Sequence, residues 1–183
     1  MTFKGVVKIF FVIFCLTGVF YLALPGYDFP KPPPDSIQSN EPADLEDPGR
    51  RGYFTNYSRS EVLSWYKKQF DRSSFLNIKI PTMLFNYPPE NAQEIIRDQT
   101  GSTYLQEFAH PFRESLYING NETPKDIDRP LYYVDGKPWY QKIIVKYVPS
   151  NVFIREILFL ISMASAALLF KKFEELFSKR RND

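Results

Sequence analysis

One cysteine, one histidine and eight glycines stand among 183 residues, and each scarcity removes a class of chemistry. Cys15 has no partner for an intrachain disulfide and cannot build a cysteine metal cage. It sits inside an apolar run behind Ile13 and Phe14, whereas a lipoprotein attachment site needs small residues before the thiol. With His110 the sole imidazole, zinc has no ligand set, and Asp126, Asp128 and Asp135 lack calcium-loop spacing. The glycines form neither a phosphate-cradling loop nor a dinucleotide-binding turn, so no nucleotide, metal or other cofactor is expected. The formal charge is only +2, its basic excess lies at the chain ends, and the stretch from Pro25 to Ser150 is slightly acidic. A nucleic-acid partner would need a clustered basic face and is not expected.

Apolar and aromatic side chains are plentiful, with seventeen Phe and twelve Tyr. Ile9 to Leu24 reads IFFVIFCLTGVFYLAL without a charge, and Gly5, Val6 and Val7 extend it behind Lys8, whose ammonium can snorkel to headgroups. Residues 5–24 are therefore expected to form a transmembrane helix. A cleavable signal peptide is the rival, but the run is long and lacks a small-x-small site after it, so an uncleaved anchor is favoured. The second segment, residues 150–170, contains VFIREILFLISMASAALLF. Setting Arg155 and Glu156 outside the hydrocarbon leaves about fourteen apolar residues, roughly 21 Å and short for a span. Arg155, Lys171 and Lys172 can reach headgroups, and Ser162 to Ala167 supply a small-residue stretch suited to helix contact, so a second span is expected over a buried or interfacial helix.

Lys4 and Lys8 flank the first segment, and Lys171, Lys172, Lys179, Arg180 and Arg181 follow the second. The positive-inside rule then makes residues 1–4 and the basic tail 171–183 cytoplasmic, with residues 25–150 extracytoplasmic in a two-pass protein of the cell membrane. The tail spaces Phe173, Leu176 and Phe177 helically and can lie on the inner surface.

Between the anchors, residues 25–50 carry seven prolines up to Pro48 and are expected to run as an extended, semi-rigid stalk holding the domain roughly tens of ångströms from the bilayer. Residues 51–149 read as a small α+β domain, helices packed on an antiparallel sheet between two terminal membrane helices. Ser58 and Glu61 make a capping box opening a helix to about Arg72. Leu76, Ile78 and Ile80 alternate as a strand. Pro88 and Pro89 open a second helix expected to resume, after Gly101 and Ser102, through Tyr104, Leu105 and Phe108. Leu116 and Ile118 alternate as a strand, Asn119-Gly120-Asn121 reads as a turn, Tyr133 to Lys137 as a tight hairpin, and Trp139 to Val148 as a strand.

The densest polar cluster runs from Arg97 and Asp98 to Glu107, His110, Arg113, Glu114 and Ser115. A hydrolase sketch would take His110 as base, Ser115 as nucleophile and Asp98 or Glu114 as orienting acid. No Gly-x-Ser-x-Gly elbow is present, and His-Pro at an element end suits capping, so a salt-bridge and capping network is the favoured reading. The expected function is accordingly non-enzymatic. The chain reads as a membrane-tethered interaction or assembly protein, with the lipid bilayer and a membrane or envelope protein as partners. A membrane-bound hydrolase using His110 and an accessory subunit of a membrane complex are the alternatives.

Overall fold

The computed structural model describes residues 3–71, 79–80, 82–97, 101–124 and 129–182, with backbone alone for 3–4 and 178–182. The chain divides into two compact units, Gly26–Pro149 and the pair Met1–Pro25 with Ser150–Asp183.

The first unit is α+β, as expected. Its six-stranded antiparallel sheet has the order β1 (Ile37–Gln38), β2 (Arg50–Thr55), β8 (Gln141–Val148), β5 (Ser115–Glu122), β4 (Tyr104–Ala109), β3 (Met83–Tyr87). Helix α3 (Arg59–Phe70) begins at the expected capping box, where Ser58 donates its amide and hydroxyl to Glu61 Oε2 at 2.8 and 2.7 Å. Those bonds hold the Glu61 carboxyl below its usual range. α3 buries Val62, Tyr66 and Phe70 against Tyr53, Phe108, Leu116, Ile118, Ile143 and Val145, forming the core on one sheet face. On the other face a smaller cluster joins Leu105 and Ile144 to Ala92 of the short helix α4 (Ala92–Ile95) and to Ile96. The Tyr132–Val134 and Lys137–Trp139 strands, β6 and β7, form the expected hairpin, and Asp135 (φ +51°) and Gly136 (φ +73°) provide the two positive φ angles of its tight turn.

Four expectations need correction. Tyr104 to Phe108 is strand, not helix: a six-residue apolar-rich run bounded by turn signals suits either state, and pairing with β3 and β5 on both sides decides for β. Asn119-Gly120-Asn121 lies inside β5, and Gly120 is required there because a Cβ would meet the Tyr104 ring at 2.1 Å. Residues 26–49 are no free stalk, for Tyr27 and Phe29 pack on the core, Ile37–Gln38 pairs with β2, and α2 (Pro42–Leu45) follows. Gln69 brackets the Lys31 backbone, accepting from its amide at 2.9 Å and donating to its carbonyl at 3.0 Å. The helix after Pro88 is a 3-10 turn (Pro89–Asn91) plus α4, and ends before Arg97 at φ +60°. The strand expected around Leu76 and Ile78 lies outside the described residues, as do Asp98, Asp126 and Asp128.

The second unit consists of α1 (Phe3–Ala23) and α5 (Val152–Asn182), in contact with each other. Gly5–Ala23 and Val152–Phe177 are each long and apolar enough to cross a membrane. The 26 residues of the latter take in Arg155 and Glu156 at one end and residues 171–177 at the other, and Arg155 does not point out to solvent. Its guanidinium is buried, with Nε donating to the Leu22 carbonyl at 2.6 Å, Nη2 to the Leu24 carbonyl, and Nη1 to Ser150 Oγ at 3.0 Å. A cation on the last carbonyls of α1 meets the negative end of that helix, a more local solution than snorkelling. Phe159 packs on Gly18 and lies 6.2 Å from the Phe14 ring, while most other apolar side chains of both helices are exposed. Such surface is consistent with a membrane protein.

Candidate functional site

Strand alternation separates the residues that the sequence places side by side. Phe108 and Leu116 point into the α3 core, so Glu107, Ser115 and Tyr117 point to the opposite face. His110 closes β4 at the start of a turn in which its amide donates to the Glu114 carbonyl and the Arg113 amide donates to the His110 carbonyl, each at 2.9 Å. The imidazole is 2 % exposed and packs against both Phe70 and Tyr27, with centroids at 4.4 and 5.2 Å, in a cluster where those two rings lie 5.0 Å from each other. Nδ1 lies 3.3 Å from Glu114 Oε1, which also takes Arg113 Nη2 at 3.0 Å. Nε2 lies 3.4 Å from Thr82 Oγ1, whose hydroxyl donates to Asp71. The ring is thus buried in an aromatic cluster and engaged at both nitrogens.

Ser115 belongs to a different cluster. Its hydroxyl donates to Glu107 Oε1, and the Tyr87 hydroxyl donates to Oε2 at 2.5 Å. Hydrogen bonding to Glu107, with burial, pushes Tyr87 up to about 12. Burial first and Glu107 second push Tyr117 to about 12. His110 and Glu114 meet, then, but Ser115 is not with them, and the hydrolase constellation is not assembled. Asp98, the other candidate acid, lies outside the described residues.

Two features of the unit had no signal in the sequence pattern. On the Glu107 side of the sheet, Lys142 Nζ reaches Glu41 Oε2 at 2.8 Å and Asp44 Oδ2 at 2.9 Å, and Arg50 Nη2 stands 3.4 Å from Asp44 Oδ1. Gly52 makes room for this, since a Cβ would fall 2.5 Å from Asp44 Oδ2. Burial depresses the Lys142 ammonium, but the two carboxylates outweigh it and leave it raised. Beside this network an open cleft of about 390 Å³ is lined by Glu46, Asp47, Arg50, Arg97 and Lys146, drawn from three distant parts of the chain. Lys146 Nζ is engaged by the Ile95 carbonyl at 3.0 Å.

The second feature is β3. It ends the sheet order, so one side has no strand beside it among the described residues, and Met83, Leu84 and Phe85 are all exposed. Among the described residues no group of three or more His, Cys, Asp or Glu side chains is placed to hold a metal ion. Comparison with protein-family models, with curated proteins and with solved structures finds no match for this chain.

Proposed function

We propose that the chain is a two-pass membrane protein with both termini cytoplasmic, presenting Gly26–Pro149 outside as a non-enzymatic interaction or assembly module. The partner is a membrane or envelope protein, and an extended segment of it adds to the sheet along β3. The observation that carries this reading is the edge itself. MLFNY is a five-residue, apolar-rich strand, exposed from Met83 to Asn86 and containing neither Lys nor Pro, the devices by which edges are usually guarded against pairing. The opposite edge, β1, is only two residues long and offers little to pair with.

A photoreactive amino acid at Leu84 in cells is expected to crosslink one discrete partner, and Phe85→Lys on the same chain to reduce that product at least about tenfold by charging the edge. An unchanged product, or none, would refute the edge reading. Topology is tested separately with impermeant maleimide on intact cells. Tyr133→Cys should label and a cysteine at Asp183 should not. A second reading, an accessory subunit of a membrane complex, draws on the small residues Ser162, Ala164, Ser165, Ala166 and Ala167, which α1 leaves exposed on α5. Scrambling that stretch should then abolish co-purification of a membrane partner in detergent.

A further inference from the structure

We infer that the turn between β4 and β5 seats Phe112 in the headgroup layer of the bilayer that the chain's own helices cross. This rests on the proposed membrane anchoring and adds a lipid-contacting surface to the folded domain. Phe112 is 89 % exposed, the most exposed large apolar residue described, and is held at φ +61°, a region that bulky side chains avoid. A position that is both strained and fully wetted gains nothing in water.

Register shows which end of the sheet carries it. Ser115 pairs with Val148 and Ala109 with both Ser115 and Met83, so the turn, Met83 and the end of β8 lie together. The other terminus of the unit arrives at the same end, for the Tyr27 amide donates to the Tyr147 hydroxyl at 3.1 Å and the Tyr27 ring stacks on His110. The chain therefore enters and leaves this unit beside Phe112. Three residues, 24–26, separate α1 from Tyr27, and three, 149–151, separate β8 from α5. Four residue steps reach at most about 14 Å, so both connections leaving this end of the sheet are short. Met83 and Val148 widen the apolar surface there. Connections this short suit a phenylalanine at the interfacial depth of roughly 5–10 Å that apolar side chains take in lipid. Tyr133, in the β6–β7 hairpin, lies toward the opposite end, where β8 begins, roughly 25 Å away along eight residues of strand.

The full chain in phosphatidylcholine nanodiscs tests this, spin-labelled at one cysteine at a time: native Cys15, or Phe112→Cys, Met83→Cys or Tyr133→Cys, each with Cys15→Ser. Collision with oxygen, which concentrates in lipid, is compared with collision with a water-soluble nickel chelate. The oxygen-to-nickel ratio at 112 and 83 should exceed that at 133 several-fold, and Phe112→Asp should bring the Met83→Cys ratio down toward it. A ratio at 112 equal to that at 133, or a label there reached by neither reagent, overturns the inference while a lipid-like Cys15 leaves the anchoring intact. A water-like Cys15 overturns the anchoring itself. Phe112, Met83 and Tyr133 are exposed and Cys15→Ser changes a single atom, so none of these changes empties the core.

Discussion

The two faces of the sheet bury their side chains by opposite means. Under α3, Tyr66, Leu116, Ile118 and Val145 are fully enclosed, and the face is held by apolar area and ring contact. The other face has a smaller apolar cluster, Leu105 and Ile144 with Ala92 and Ile96, and also encloses Glu107, Asn119, Asp44 and Arg50, each of which depends on a partner. An apolar face is hurt chiefly by loss of volume. A polar face tolerates changes of volume better and is hurt when one partner is removed, because the survivor stays buried and unsatisfied.

The sharpest way to break this contrast is volume. Tyr66→Ala should destabilise the domain by about 3–5 kcal/mol, read as a lower denaturant midpoint of the full chain in nanodiscs. A loss below about 1 kcal/mol would mean that the α3 face is not the core. Next comes the polar face, where Glu107→Ala should cost about 1–3 kcal/mol by leaving the Tyr87 and Ser115 hydroxyls without their acceptor.

The same cluster sets an alkaline response. Tyr87 and Tyr117 titrate near 12 when folded against 10 when unfolded. Between those values the unfolded chain has lost protons that the folded chain retains, so stability falls as pH rises from about 10 to 12. Burial of Tyr66 and Tyr104 and the ion pairs of Lys142 add to the fall with the same sign. Denaturant midpoints at pH 9, 10 and 11 should show this slope, and Glu107→Gln should flatten it in part. An unaltered slope would place the alkaline response entirely outside the Glu107 cluster. The smallest expected effect is Tyr66→Phe, neutral or stabilising by up to about 1 kcal/mol, since the buried hydroxyl has no hydrogen-bond partner among the described residues. A loss approaching that of Tyr66→Ala would show that the apolar face also relies on a polar contact.

What could be read without coordinates was whatever depends on near neighbours. The Ser58–Glu61 box and the Asp135-Gly136 turn are complete within four residues, and both form. The run of Tyr104 to Phe108 was ambiguous because its state is set by β3 and β5, not by its own residues. The Pro-rich segment is largely irregular, as its composition requires, yet Tyr27 and Phe29 pin it to the core, and two aromatics in a supposed spacer were the available signal. His110 and Ser115, five residues apart, looked like one site. A turn followed by a strand sends them to opposite faces, and no spacing rule within the chain reveals that.

Composition and local pattern by themselves determined two apolar helices, an α+β class between them, and the absence of standard metal and nucleotide motifs, because hydrophobic runs, caps and motifs act over a few residues. Only the tertiary structure decided that Arg155 caps α1, that Glu107 gathers Tyr87 and Ser115, and that Phe112 stands beside both points where the chain leaves the sheet. Each of these joins residues far apart in the chain or on different elements, and such contacts exist only once the backbone has closed.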